Sequence, residues 1–334
     1  MVSRHRVLVW SVAAAVALSA LPAGAATNTE RARAAVGYIV RQQSKSGAVK
    51  GFSTIGTTSD AVVAMVAAKR GKRDINEALN FLARKAKAGK LSDDAGVYGK
   101  VIMAVVAGDR DPRAFGGGTN LVKKLRASEQ PDGSLGEGVQ VFSHALGVLG
   151  LIAADAKVTQ DSVQWLIDAQ CGNGGWAFDG PSAPSDDDNC KSGGDDFVGA
   201  DSNTTAIAVV ALEAAGDSAE VDPFAYLRTV RDDDKRGWGY DQSFAVTDAN
   251  STSVVIQAYI AEGRNVPRGG MKALRGLQPK LCGRDGGGVR FVYGKDQPVD
   301  VGATVAATPA LMQKPLPLKP GKVTKQAPGK KPCR

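Results

Sequence analysis

"QWLIDAQCGNGGWAF", residues 164–178, begins as a helix face with Trp165, Leu166 and Ala169 at helical spacing, breaks into Gly172-Asn173-Gly174-Gly175, and then sets down Trp176. A chain with 4 tryptophans in 334 residues has placed one just past a helix-breaking turn. The stretch is one of a series. Helical segments ending in glutamine or a substitute and followed by a Gly-containing turn recur at 35–52, 125–136, 226–241 and 274–291, with a degraded copy at 78–94. Each copy precedes a second helix rich in small apolar residues, at 59–71, 93–108, 141–154, 201–216, 249–263 and 300–312. The spacing of Gln43, Gln130, Gln170 and Gln278 gives an underlying period of about 40 to 55 residues, the signature of a repeat architecture.

The two helix types differ physically. The first of each pair carries charge on one face, as at Arg31, Arg33 and Arg41, so one side meets water. The second, such as "TTAIAVVALEAA", is apolar nearly all round and must be buried all round. Six alternating pairs predict an all-α fold of two concentric layers, with the apolar helices inside. Alanine and glycine let the inner axes approach closely.

Composition supports a globular chain with 43% hydrophobic residues. Residues 1–25 carry Arg4 and Arg6, an apolar run and Ala23-Gly24-Ala25, the pattern of a cleaved secretory signal, so the mature protein is expected to be secreted. No later run approaches a membrane span. The net charge of +8 is concentrated in the Lys/Pro-rich tail, residues 313–334, and in the leader, leaving a body close to neutral and no general footprint for nucleic acid. Such a tail reads either as a loose solubilising extension or as a contact for anionic envelope polymers. Four cysteines in an exported chain favour two disulfides. Cys171 with Cys190 and Cys282 with Cys333 is the preferred pairing, and zinc is disfavoured because no CxxC occurs and His144 is the sole histidine after the leader.

Gln170 followed by Gly175-Trp176, with weaker copies at Gln130 with Gly133 and at Gly237-Trp238, resembles the QW-type repeat of the terpenoid cyclase and protein prenyltransferase superfamily. The resemblance covers residues 28–312 and implies an (α/α)6 toroid of six helical hairpins, a domain spanning 26–312. It implies structural roles for Gln130, Gln170, Gly175, Trp176, Trp238 and Gln278, the Trp and Gln tying each outer helix to the start of the next inner one. Trp176 then fills space as an architectural rivet.

The chemistry of that superfamily is harder to find. Its cyclases protonate an alkene with a DxDD acid, and no such motif is present; the nearest strings are "SDDDN", "GGDDFVGAD" and "RDDDKR". The inner helices offer only Tyr98, Phe142 and Tyr259 for stabilising carbocations. The Asp/Cys/His zinc set of the prenyltransferases is also missing. What remains is a ring of polar residues at the expected starts of inner helices: Asp60, Asp93, Asp94, Asp201 with Asn203, Asp248 with Asn250, and Asp300. These read as N-caps, and as a polar rim around one mouth of the toroid. The acidic insertion 177–201 reads as a solvated disulfide loop, with calcium at Asp186, Asp188, Asp195 and Asp196 as the weaker reading.

Secreted relatives of the same superfamily, the cobalamin carriers, share export, disulfides and the lack of catalytic acids. The expectation is therefore a secreted non-catalytic binding or scaffold protein without a cofactor, its mouth formed by Asp60, Tyr98, His144, Asp201, Asn203, Asp248 and Tyr259. Its partner would be a small molecule or an envelope protein. The alternative is an enzyme on the same toroid, terpene cyclase-like or a polysaccharide lyase or hydrolase, with Asp201, His144 and Tyr98 as the candidate groups.

Overall fold

The computed structural model describes residues 26–136, 138, 140–179, 190 and 199–324. The expected leader and the four calcium candidates Asp186, Asp188, Asp195 and Asp196 lie outside the described residues.

Six apolar helices form the inner wall: α2 (Thr54–Ala67), α4 (Ala95–Ala107), α7 (Val141–Ala153), α9 (Ser202–Ala215), α11 (Ala249–Ala261) and α13 (Val301–Leu311). Each packs against the next, and α13 returns to α2, so the ring closes. The outer layer is α1 (Asn28–Gln42), α3 (Lys72–Lys87), α6 (Leu121–Arg126), α8 (Gln160–Asp168), α10 (Pro223–Thr229) and α12 (Gly270–Gly276), with the short α5 (Phe115–Gly118) against α3. The all-α toroid of two layers is what the alternation of amphipathic and all-apolar helices requires. Small residues set the inner seams. A Cβ on Gly99 of α4 would sit 2.0 Å from the Leu146 carbonyl oxygen of α7, and one on Gly150 would sit 2.6 Å from the Gly99 Cα.

The repeat acts through three kinds of bond. First, the residue at the tryptophan position donates its backbone N–H to a side chain one turn into the next inner helix: Val49 to Thr58, Trp176 to Thr205, Trp238 to Thr252 and Val289 to Thr304, all at 2.9–3.0 Å. In a fifth copy Leu135 donates to His144 Nδ1 at 3.1 Å, so His144 stands where those four have threonine. Second, the two indoles reach back to their own outer helix: Trp176 Nε1 donates to Leu166 O at 2.8 Å and Trp238 Nε1 to Leu227 O at 2.9 Å, both rings fully buried. Two minimal ladders add to this. β1 (Trp176–Ala177) pairs with β2 (Ala200–Asp201) and β3 (Val289–Arg290) with β4 (Val299–Asp300), setting Trp176 opposite Asp201 and Val289 opposite Asp300.

Third, the glutamines join neighbouring outer helices, which corrects the expectation that they join outer to inner. Gln170 Nε2 donates to Gly174 O and Val221 O, and its Oε1 accepts from Val221 N, just before α10. Gln43 reaches Gly47 O and Asp74 O of α3, and Gln278 reaches Gly287 O and Arg31 O of α1, closing the ring. Gln130 is not the equivalent residue; among the described residues its side chain bonds Ser128 O alone. Glu129, one residue earlier, bridges Leu135 and accepts from Thr159, the N-cap of α8, and Arg231 fills the position with a bond to Arg268 O. The turn glycine makes the approach possible. Gly174 has φ 88°, and a Cβ there would lie 2.7 Å from Asp222 O.

Cys171 and Cys190 are joined as expected, across a separation of 19. Cys282 is disulfide-bonded, and its expected partner Cys333 lies outside the described residues. Residues 313–324, expected as part of a loose extension, lie against the body: Leu318 is buried, and Thr324 exchanges backbone bonds with Lys69 and Lys72. No helix among the described residues is long and apolar enough to cross a membrane.

Candidate functional site at the N-terminal mouth

All six inner helices start at the same end of the ring. Counting from the first residue of each, positions 2, 6 and 9 share one face at 100° per residue, and that face lines the central funnel. Position 2 carries the buried Gly96 in α4 and the half-buried Phe142, Asn203, Asn250 and Gly302 in α7, α9, α11 and α13. Position 6 carries Lys100, Leu146, Ile207, Val254 and Ala306, with Asp60 at the matching level of α2. Position 9 carries Met103, Leu149, Val210, Gln257 and Pro309, all buried. The buried residues of position 9 floor the funnel about 10 Å below its first ring.

The expected cap ring is largely present. Asp94, Asp201, Asp248 and Asp300 each accept the N–H three residues on, at 2.7–2.8 Å. Asp60 is not a cap, because α2 starts earlier, at Ser53. It lies two turns inside the helix and pairs with Lys100 across the α2–α4 seam at 2.8 Å. Three other expected mouth residues face the outer layer. Tyr98 occupies in α4 the position that carries the threonine clamp elsewhere. His144 is fully buried, donates from Nε2 to Ser162 O at 2.9 Å, and packs on Trp165 at 4.5 Å; burial pushes it down to about 4, so it stays neutral as a clamp. Tyr259 packs between Phe224 and Trp238, at 4.5 and 5.8 Å. Of the seven, only Asp60 and Asn203 line the funnel, with Asp201 and Asp248 just behind it.

The unmet polar groups concentrate on one side. Nine buried side-chain atoms lack a hydrogen-bond partner among the described residues, and seven are oxygens of α9 and α11 or their caps: Asp201 Oδ2, Asn203 Oδ1, Thr204 Oγ1, Asn250 Oδ1, Ser251 Oγ, Ser253 Oγ and Gln257 Oε1. The repeat shows that a seam of this kind can be satisfied. At α4–α7, Ser143 Oγ donates to Asp94 Oδ2 at 2.9 Å, whereas the corresponding pair at α9–α11, Ser251 and Asp201, is unbonded. Each such atom costs roughly 1–3 kcal/mol.

Burial pushes the Asp201 carboxyl up to about 7, against the N–H bond from Thr204 and with a further push from the Asp241 charge. Asp248 is raised by burial too. Tyr240 lies beside Asp201; burial and the charges of Asp201 and Asp241 hold the phenol protonated well above its usual range. Around the mouth stand exposed apolar side chains on the segments leading into inner helices: Phe52 before α2, Phe244 and Val246 before α11, and Phe291, whose carbonyl accepts from Ala249 N. Sequence reading passed over Lys100, Gln257, Tyr240 and these phenylalanines. A signal for part of the site was present, since Asp201-Ser202-Asn203-Thr204-Thr205 and Asp248-Ala249-Asn250-Ser251-Thr252 repeat one D-x-N-[S/T]-T string. The described residues contain no group of three or more His, Cys, Asp or Glu placed to hold a metal.

No known family model matches the sequence, and no curated protein is similar to it. Solved structures are similar in fold. The type II terpene cyclase MstE from Scytonema superposes with a TM-score of 0.59 at 13% identity, over 85% of this chain and 97% of that one. An unsaturated glucuronyl hydrolase specific for heparin gives 0.57 at 14%, over 86% and 96%. A glycosidase variant in complex with glucose gives 0.53 at 12%, over 86% and 98%. The chain is thus an α/α toroid of the terpenoid cyclase type, a fold shared with these hydrolases. This corrects the expectation of a non-catalytic binder or scaffold, because the similar structures are those of enzymes.

Proposed function

We propose that the protein is a glycan-cleaving enzyme working at the N-terminal mouth. The observation that supports this most is the cluster of seven unpartnered oxygens on α9 and α11. Unmet oxygens call for donors, and a sugar brings several O–H groups, whereas an isoprenoid chain brings none. The shallow funnel suits one or two sugar rings, and exposed phenylalanines at its rim suit the apolar faces of such rings.

In this reading Tyr240 is the donor that meets the substrate, and Asp201 is the acid behind it. Tyr240 gives its O–H proton to the glycosidic oxygen as the C–O bond breaks, and the neutral Asp201 carboxyl reprotonates the phenolate. Water adds to the anomeric carbon, and its proton restores Asp201. An acid held near 7 keeps a substantial protonated fraction at neutral pH, which is the requirement for such a step. The secretory pattern of residues 1–25 supports extracellular or envelope glycans as the substrate class.

The test is release of new reducing ends from a panel of neutral and acidic oligosaccharides. Wild type should cleave at least one. Tyr240→Phe and Asp201→Asn should lose on the order of a hundredfold or more in kcat, while keeping the melting transition. Turnover of geranylgeranyl substrates instead of glycans, or glycan cleavage indifferent to both substitutions, would overturn the reading.

A further inference from the structure

We propose that the closed end of the toroid, opposite the mouth, is a docking face for an anionic carbohydrate polymer. The face is assembled from the α2–α3 corner and the segment that follows α13. It stands apart from the chemistry at the mouth.

The segment is held in place by specific bonds. Leu318 is 8% exposed and belongs to the main core. Thr324 donates its N–H to Lys69 O at 3.2 Å and accepts from Lys72 N at 3.3 Å. Its hydroxyl donates to Lys69 O and accepts from Arg70, both at 3.0 Å. These bonds bring exposed Lys319 and Lys322 onto a corner that already carries Lys69, Arg70 and Lys72. None of the five forms an ion pair among the described residues. The nearby acids are few: Asp74 and Glu77 are engaged by Arg73, and Asp109 is the carboxylate bordering the adjoining cleft.

The fold therefore gathers like charges against their mutual repulsion, and a bound polyanion would relieve it. Beyond Thr324 the sequence carries four further cations, Lys325, Lys330, Lys331 and Arg334. A cleft of about 500 Å³ opens between the corner and the segment, lined by Lys72, Asn76, Lys322 and apolar Val66 and Ile75, dimensions that admit a sugar unit. A bilayer fits less well, because the most exposed phenylalanines, Phe52, Phe244 and Phe291, are at the mouth and not here. Single-stranded nucleic acid fits less well too, since no exposed aromatic platform accompanies the cations.

The experiment is calorimetric titration of the full mature chain with polygalacturonate at low and high salt. Wild type should bind, with affinity falling steeply as salt rises. Lys69→Gln/Lys72→Gln/Lys322→Gln should weaken binding about tenfold or more at low salt and lower the slope of log affinity against log salt by roughly two to three. Neutralising Lys325, Lys330, Lys331 and Arg334 should weaken it less. Protection of lysines from acetylation by the polymer, read by mass spectrometry on wild type, should single out Lys69, Lys72, Lys319 and Lys322, and does not depend on how any variant folds. The proposal is overturned by unprotected corner lysines, by a triple variant that binds like wild type, by complete loss on neutralising the last four cations alone, or by tighter binding to duplex DNA or phosphatidylglycerol vesicles than to the polymer.

Discussion

Substituting Asp201 by Asn should change how stability depends on pH while leaving the helix cap in place, since Asn and Asp cap equally well. Burial raises Asp201 from the ordinary 3.8 to about 7 and lowers His144 from 6.5 to about 4. For Asp201 the folded chain keeps a proton that the unfolded chain releases, so its contribution is full below about pH 4 and is lost as pH rises through 7, a change of about 4 kcal/mol. His144 runs the other way. Its neutral form is favoured by folding, so its contribution is present above pH 6.5 and lost as pH falls through 4, a change of about 3 kcal/mol. Across pH 4 to 6.5 the two slopes oppose each other. The difference between variant and wild type isolates each one. Asp201→Asn should gain about 4 kcal/mol relative to wild type between about pH 4 and pH 7.5, and His144→Thr should lose about 3 kcal/mol relative to wild type between about pH 4 and pH 6.5. Urea unfolding of the disulfide-intact chain at several pH values measures both. An Asp201→Asn difference constant to within about 1.4 kcal/mol, one pK unit, would refute the assignment of a protonated acid at this position.

The repeat register makes a sharp comparison: Glu129→Ala should lower Tm by several degrees, because it frees the Thr159 hydroxyl and the α8 cap, while Gln130→Ala should leave Tm nearly unchanged. Gln170→Ala should destabilise by about 1–3 kcal/mol in urea, since it strips partners from Gly174 O, Val221 O and Val221 N together. Gly99→Ala should cost about 1–3 kcal/mol or more by forcing α4 away from α7, visible as a lower urea midpoint with the slope retained. Lys100→Met should change stability by less than about 1 kcal/mol, the half-exposed ion pair being worth little, while raising KM for any substrate that enters the funnel.

The fold was legible because its determinants are periodic. All-apolar helices rich in alanine and glycine, each following a Gly-bearing turn, leave few arrangements other than an inner ring with a shell. The register was less legible where two neighbours offer similar side chains, as at Glu129 and Gln130; a helix end cannot be placed within one residue from propensity alone. The start of α2 was misplaced for a related reason. Thr54-Ile55-Gly56-Thr57-Thr58 is a poor helix former taken on its own, yet it is helical here because its face is buried, so Asp60 looked like a cap and is a funnel residue. His144 was misjudged because a lone histidine invites a chemical reading. Only the comparison with Thr58, Thr205, Thr252 and Thr304 shows it filling the place of a hydroxyl.

The same comparison explains where chemistry is free to reside. In five of the six inner helices, all but α7, the cap side chain satisfies the helix end, and in five, all but α4, the residue one turn further in receives the N–H of the residue at the tryptophan position. Both face outward. Positions 2, 6 and 9 face the funnel and make no bond that closes the ring, so the repeat does not constrain them, and they vary from Phe142 to Asn203, Asn250 and Gly302 at a single level. Polar groups at those positions are stabilised by no repeat contact and, at α9 and α11, by no other described partner. A toroid built only for stability would fill that face as α7 does, with Phe142, Leu146 and Leu149. Removing the amides should therefore separate the two roles: Asn203→Leu with Asn250→Leu should raise the urea midpoint, by relieving unmet oxygens, while abolishing whatever binding or turnover the mouth supports. A double variant that is both less stable and fully active would show that these oxygens find partners inside the folded chain and that the functional site lies elsewhere.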